Sequence, residues 1–198
     1  MTFKAAIGML AVVSAAACAP ARDYTQATLS QAALGNLSPA SLGYDAALSQ
    51  VVTGELLGEG KSLRFELEVT GNTLVLVGLT HTGIPLFTLR QDGADRSFDS
   101  TVPPDSALNP AYLLADIKLA YWPSEALNLT LGPLRMRVYE RVEHGARHRV
   151  LKDESGQTIA EVLYPPGGPT KGNLILRRYD IPYRLRIKTL NLPKRGAQ

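Results

Sequence analysis

Short runs in which apolar and polar residues alternate constrain the fold of this chain most. The clearest run alternates Leu63, Phe65, Leu67 and Val69 with Arg64, Glu66 and Glu68. This period of two places the apolar side chains on one face of a β-strand. A Gly71-Asn72 turn follows, and Thr73–Leu79 is predicted as the next strand.

Further apolar runs predict more strands, separated by turns rich in Gly, Pro, Ser and Asp. These strands are Leu86–Arg90, Leu134–Arg141, Arg147–Lys152, Thr158–Tyr164, Asn173–Arg178 and Tyr183–Thr189. Strands joined by turns this short form antiparallel meanders.

One segment predicts a helix. Asn109 is a suitable N-cap and Pro110 suits the first helical position, while Pro123 forbids continuation. Apolar residues recur at helical spacing in between, namely Leu113, Leu114, Ile117, Ala120 and Tyr121, and Asp116 and Lys118 lie off that face.

These elements predict a mainly β (α+β) fold: an open antiparallel half-barrel of about eight or more strands, with an inserted amphipathic helix over its concave face. Such a shape can leave an apolar cavity that suits an acyl chain. The candidate wall residues are Phe65, Leu67, Leu74, Leu76, Phe87, Leu89, Leu114 and Ile117. The alternative is that the same side chains fill the interior, and the sequence leaves both open.

The N-terminus is typical of a secretory signal. Lys4 precedes a run of about 13 mainly apolar residues, too short to span a bilayer. Ala15-Ala16-Ala17-Cys18 then resembles the lipobox of bacterial lipoproteins, and Cys18 is the chain's single cysteine. The resemblance implies a diacylglycerol on the Cys18 sulfur and a third acyl chain on its amine. Ordinary secretory cleavage after Ala-x-Ala is the alternative.

The predicted organisation has four parts. Residues 1–17 are the signal peptide, 18–48 a tether with one short helix around Tyr24–Leu34, 49–190 the folded domain and 191–198 a C-terminal tail. Because Ala19 rather than Asp follows the cysteine, the lipoprotein resemblance implies sorting to the outer membrane, on its periplasmic face.

The charge distribution separates the last third from the rest. Residues 1–133 carry 7 basic and 12 acidic side chains, whereas residues 134–198 carry 14 and 6. Alternation predicts one solvated face bearing Arg135, Arg137, Arg184, Arg186 and Lys188, with Arg147 and Arg149 repeating the pattern. This face could meet anionic lipid headgroups or be an ordinary soluble surface. The net charge of +3 is too small to indicate a nucleic-acid partner.

Signatures of catalysis and metal binding are missing from the sequence. It contains no HExxH, GxSxG or phosphate-binding glycine loop, and one cysteine excludes an internal disulfide or a thiolate zinc site. His144 and His148 are four residues apart but lie in a predicted hairpin. We therefore expect no catalytic residue, metal or cofactor.

Two stretches resemble a family of uncharacterised bacterial lipoproteins often encoded in clusters for aryl polyene or related lipid biosynthesis. They are residues 78–89 (GLTHTGIPLFTL) and 112–123 (YLLADIKLAYWP). The resemblance extends from about Leu42 to Thr189, and the family is distantly similar to LolB, the outer-membrane lipoprotein receptor. It implies an incomplete antiparallel barrel with helices over a cavity that accepts acyl chains. Thr82 stands where LolB-type proteins carry a protruding leucine linked to insertion of cargo, which argues against general lipoprotein insertion.

The sequence thus predicts a non-enzymatic lipoprotein that binds the acyl or polyene tail of a lipid or acylated cargo in its half-barrel. The alternative is a structural lipoprotein with a filled core, docking to an envelope protein within a biosynthetic or export complex. Hydrolysis of a lipid has no nucleophile–base pair to support it.

Overall fold

The protein folds around one large sheet, as seen in a computed structural model that describes residues 24–54, 62–101 and 109–190. The ten strands are β1 (Ala46–Gly54), β2 (Ser62–Thr70), β3 (Thr73–Leu79), β4 (Pro85–Asp92), β5 (Asp95–Ser100), β6 (Arg137–Glu143), β7 (Ala146–Lys152), β8 (Thr158–Leu163), β9 (Asn173–Arg178) and β10 (Tyr183–Thr189). The described helices are α1 (Tyr24–Asn36), α2 (Pro110–Tyr121) and α3 (Ser124–Leu131).

Every neighbouring pair of strands is antiparallel, in the order β5-β4-β3-β2-β1-β10-β9-β8-β7-β6. Two five-strand meanders therefore lie side by side, joined where the first strand pairs with the last. Among the described strands, β5 and β6 each have one neighbour, so the sheet is open. The predicted open, antiparallel, mainly β fold is confirmed, and the ten described strands agree with the expected eight or more; among the described helices, α3 was not predicted.

The alternation in β2 forms the core as predicted. Leu67 of β2 pairs with Leu76 of β3, which pairs with Leu89 of β4, and all three are buried in one row across the sheet. Burying a leucine contributes about 1.5–3 kcal/mol, so such rows fix the register of the meander.

Close packing in this meander requires a glycine at position 78. Gly78 lies opposite Phe87, and a Cβ there would be 2.0 Å from the Phe87 ring. The ring meets Phe65 edge-on, with centroids 5.6 Å apart, and lies 5.6 Å from Phe98. Three strands, β2, β4 and β5, are therefore joined through one aromatic side chain.

Helix α2 begins and ends where the sequence predicts. The Asn109 side chain accepts a hydrogen bond from the Ala111 amide at 2.9 Å, Pro110 is the first helical residue, and Trp122 caps the C-terminus. These are the contacts that a capping asparagine and an N-terminal proline supply.

Helix α3 lies between Pro123 and the predicted strand Leu134–Arg141, where the sequence predicted no element. It buries Leu127 and Leu131, and a 3-10 turn over Gly132–Leu134 follows it. Arg135 then has a left-handed backbone (φ 55°), so β6 begins at Arg137 and not at Leu134. The two buried leucines, four positions apart in an eight-residue helix, form a pattern too short to predict a helix from sequence.

Part of the predicted tether is packed into the fold. Leu34 of α1 and Leu42 of a 3-10 turn (Pro39–Leu42) are fully buried in the main apolar cluster, and β1 begins at Ala46. The described portion of the tether is therefore a structural layer of the domain. Residues 1–17, Cys18 and the predicted tail 191–198 lie outside the described residues.

Candidate functional site

Helix α2 lies inside the curve of the sheet. Its residues from Leu114 to Tyr121 are all buried, and its polar groups bond to strands far apart in the sheet. Tyr121 accepts a hydrogen bond from Gln50 of β1 at 2.5 Å, and Arg149 of β7 donates to the Leu119 carbonyl at 2.6 Å. Asp116 and Lys118, predicted off the buried face, are buried too, so α2 is enclosed on every side along these two turns.

The eight predicted wall residues all belong to the apolar cluster around α2. Five of them are no more than 2% exposed: Leu74, Leu76, Phe87, Leu89 and Leu114. With so little accessible surface they touch neighbours on all sides. In this structure the interior against β3 and β4 is filled.

The buried apolar residues keep slightly more accessible surface where α2 faces β1 and β10. Ile117 and Tyr121 lie one turn apart on the same face of α2 and are 9% and 8% exposed. Leu185 and Ile187 of β10 point to the same side of the sheet and are 9% and 8% exposed. We call these four residues the β10 side. Leu185 and Ile187 were missed as site residues, since alternation shows which face is buried but not how tightly.

A buried charged network lies beside the β10 side. Tyr183 donates to one carboxylate oxygen of Asp116, and Arg178 Nη1 lies 3.5 Å from the other. Arg178 also binds Asp180 through two hydrogen bonds, at 2.9 and 2.5 Å. Burial raises the pKa of Asp116 to about 6, against the opposing effect of Arg178.

Lys118 joins α2 to α1 and β4. Its Nζ donates to the Gly35 and Leu37 carbonyls at 2.7 and 2.6 Å and to Gln91 Oε1 at 2.6 Å. Burial, with a smaller effect of the Arg96 charge, lowers the pKa of Lys118 to about 7. The three acceptors match the three N–H donors of a charged ammonium group. These hydrogen bonds favour the charged form of Lys118 and so oppose the lowering of its pKa.

Two of the arginines expected on the solvated face point inward. Arg149 is buried, donates two hydrogen bonds to Glu140 at 2.9 and 2.6 Å, and lies 5.5 Å from the Tyr164 ring centroid. Arg147 stacks on the same ring at 4.1 Å. Although burial acts in the other direction, hydrogen bonds from Arg149 and Ser124 lower the pKa of Glu140. The strand register gives the reason, since Arg147 and Arg149 share a face with buried Leu151.

The five predicted headgroup-facing cations do not lie together. Arg184, Arg186 and Lys188 are exposed on the outer face of β10, and Arg137 is exposed on β6 at the sheet edge. Arg135 precedes β6 and forms a 2.6 Å ion pair with Glu154.

The turn between β3 and β4 contains Thr82. The Thr82 hydroxyl lies 2.8 Å from that of Thr80, which also accepts a hydrogen bond from the Ile84 amide at 3.0 Å. Ile84 is 62% exposed. The turn therefore presents a large apolar side chain two residues after the position the sequence singled out.

The described residues contain no cluster of His, Cys, Asp or Glu suited to a metal ion. No helix among them is long and apolar enough to cross a membrane.

The folded domain matches a known protein family. The family described as "Protein of unknown function (DUF3261)" matches residues 47–191, which is most of the chain. The chain belongs to the DUF3261 family. The match spans almost the whole sheet of this DUF3261 protein and leaves α1 outside it.

Other comparisons add little about the DUF3261 protein. No curated protein matches it. A solved structure, "Crystal structure of LprF from Mycobacterium bovis", is similar over 82% of this chain and 91% of that one, with 12% sequence identity and a TM-score of 0.22. A TM-score this low supports no statement about function.

Proposed function

We propose that this DUF3261 protein is a non-enzymatic, lipid-anchored envelope protein that binds the acyl or polyene tail of a lipid between α2 and strands β1 and β10. The observation that carries the proposal is the uneven exposure of the apolar side chains around α2. The wall residues of β3 and β4 are no more than 2% exposed, whereas Ile117, Tyr121, Leu185 and Ile187 on the β10 side are buried but keep 8–9% of their surface accessible.

The polar groups near the β10 side favour an apolar ligand. Asp116 is already engaged by Tyr183 and Arg178, and Arg178 by Asp180. A ligand entering here finds buried polar groups that have partners, so it gains chiefly from burying hydrocarbon.

Location and pathway rest on the sequence resemblances. The lipobox-like residues before Cys18, followed by Ala19, support an anchor in the outer membrane facing the periplasm. The likeness to LolB and to proteins of aryl polyene clusters supports an acylated or polyene cargo. Exposed Ile84 gives such a cargo-handling protein an apolar side chain at the β3–β4 turn.

A fluorescent fatty-acid analogue with a twelve-carbon tail tests the proposal. Burying 12 methylene groups contributes roughly 10 kcal/mol, and lost freedom of motion costs at least about 4, so we expect a Kd of tens of micromolar. Ile117→Trp would place a larger side chain between α2 and β10, where the tail is proposed to bind, and should weaken binding at least about tenfold. Leu113→Trp, one turn earlier on α2, should act in the same direction.

Ile175→Trp is the matched control, because Ile175 is half-buried on the opposite face of the sheet. It should bind like the wild type, and thermal unfolding checks that all variants fold. Equal losses from Ile117→Trp and Ile175→Trp would contradict the site. No saturable binding by folded wild-type protein would contradict the function.

One observation favours a second candidate, the docking lipoprotein with a filled core. Five of the eight predicted wall residues are essentially inaccessible. Leu76→Trp reports on that wall, where overpacking should destabilise the protein by about 1–3 kcal/mol. That destabilisation, together with absent fatty-acid binding, would select this second candidate.

A further inference from the structure

The outer face of the sheet, turned away from α2, is divided by charge. The strand registers direct two cations and five carboxylates outward from β1–β5: Arg64, Arg90, Glu66, Glu68, Asp92, Asp95 and Asp99. From β6–β10 they direct seven cations and two carboxylates outward: Arg137, Arg141, Lys152, Arg177, Arg184, Arg186, Lys188, Glu143 and Glu161. We call these the acidic half and the basic half.

The basic half is most concentrated on β10. Arg184, Arg186 and Lys188 follow one another on one side of the strand, about 7 Å apart, and all three are exposed. Within the described residues, none of the three has a carboxylate within 4 Å, as no ion pair involves them. The outward residues of the flanking strands β1 and β9 contain no Asp or Glu.

Nearby carboxylates are already shared. Glu161 of β8 lies 3.9 Å from Arg141 and 4.0 Å from Arg177. Arg177 also stands directly opposite Arg184 in the β9–β10 pairing, so like charges face each other. Such pairs are destabilising, and an external anion would relieve the repulsion.

We infer that the basic half, centred on the outer face of β10, docks on an anionic membrane surface. A row of cations on a sheet can meet a plane of headgroups simultaneously, and the anchor predicted at Cys18 would hold the domain near such a plane. The acidic half is repelled by the same surface, so the contact also fixes the orientation of the sheet. The inference does not depend on a lipid cargo inside the fold.

Vesicle flotation of the full chain tests the inference, comparing phosphatidylcholine with an equimolar mixture of phosphatidylcholine and phosphatidylglycerol. The apolar N-terminus contributes to both vesicle types, so the ratio of the two partition coefficients isolates the effect of charge. The test variant combines Arg184→Gln, Arg186→Gln and Lys188→Gln. At about fivefold per cation, this ratio should fall on the order of 100-fold.

The matched control combines Arg64→Gln, Arg90→Gln and Arg135→Gln, which changes the net charge equally but lies outside the β10 row. It should keep most of the preference of the wild type for anionic vesicles, and that preference should weaken as salt is raised. Equal losses in the two triple variants would show an effect of net charge alone and overturn the inference. A wild-type protein that shows no preference for anionic vesicles would also overturn the inference. The same holds if the wild type binds soluble polyglutamate but not anionic vesicles. Fatty-acid titration of the test variant should match the wild type, which separates this inference from the proposed cargo function.

Discussion

Lys118 contributes to stability through three carbonyl acceptors and no carboxylate. Lys118→Met would leave the Gly35 carbonyl and Gln91 Oε1 without this donor in a buried setting, whereas the Leu37 carbonyl keeps a hydrogen bond from Gln91 Nε2 at 3.3 Å. Each unpaired buried group costs about 1–3 kcal/mol, so we expect a loss of at least about 2 kcal/mol in the free energy of unfolding. Urea denaturation measures it.

Lys152→Met is the control for that variant, because Lys152 is a partly exposed lysine on the outer face of β7. It should change the free energy of unfolding by less than about 0.5 kcal/mol. Similar effects from the two variants would contradict a specific role for the Lys118 bonds.

Asp116 makes stability depend on pH in the acid range. Its pKa is raised from 3.8 to about 6 in the folded protein, chiefly by burial. Between these values the folded state holds a proton that the unfolded chain has released, so the free energy of unfolding falls as pH rises from about 4 to 6. A shift of this size corresponds to about 3 kcal/mol.

Asp116→Asn cannot titrate and should lack this contribution. We expect the difference in unfolding free energy between wild type and variant to change by about 3 kcal/mol between pH 4 and pH 7, measured by urea denaturation in a pH series. Parallel pH profiles would contradict the assignment.

Helix α1 is a layer of the fold, and its two leucines at positions 29 and 34 allow a direct test. Leu34 is fully buried, whereas Leu29 is 42% exposed on the same helix. Leu34→Ala should destabilise the protein by about 2–5 kcal/mol, and Leu29→Ala by less than about 0.5. Thermal and urea unfolding distinguish this from a tether, for which both substitutions would be neutral.

Eight of the ten described strands were predictable because each carries its own apolar pattern, whereas β1 and β5 were not predicted. The bounds of β3, β9 and β10 follow directly from alternation and from adjacent turn residues, and α2 from its Asn109 cap. Strand β5 was missed because Phe98 is its one apolar residue. Helix α1 was predicted only as a short helix within a tether. The sequence shows its few apolar residues but does not show that they pack against α2.

The candidate site was less predictable than the sheet. Strand alternation and helical spacing identified which side chains face inward, and all eight predicted wall residues do. They could not show that inward residues of β3 and β4 are less accessible than Leu185 and Ile187 of β10, because accessibility depends on partners distant in sequence. For the same reason Asp116 and Lys118 were misplaced, since their partners Tyr183 and Gln91 lie 67 and 27 residues away.

At the scale of the whole molecule, the two faces of the sheet differ and the predicted anchor lies beside them. The inner face is mainly apolar, with buried polar groups that include Arg149 and Arg178, and it packs against α2. The outer face is divided between the acidic and basic halves, and the predicted lipid anchor is six residues before α1. Six residues reach at most about 20 Å, so an anchor at Cys18 would hold α1 close to the membrane.

The anchor itself is tested in a Gram-negative host with labelled fatty acid. Cys18→Ser should lose the label and the membrane fractionation, because a hydroxyl cannot form the thioether to diacylglycerol. Ala19→Asp retains the cysteine, so it should keep the label but move from the outer to the inner membrane under the sorting rule implied by the lipoprotein resemblance. Several acyl chains, at about 0.8 kcal/mol for each buried methylene, anchor far more firmly than electrostatic contact alone. Wild-type protein that never takes up label, together with a Cys18→Ser variant that still fractionates with the outer membrane, would contradict the lipoprotein assignment.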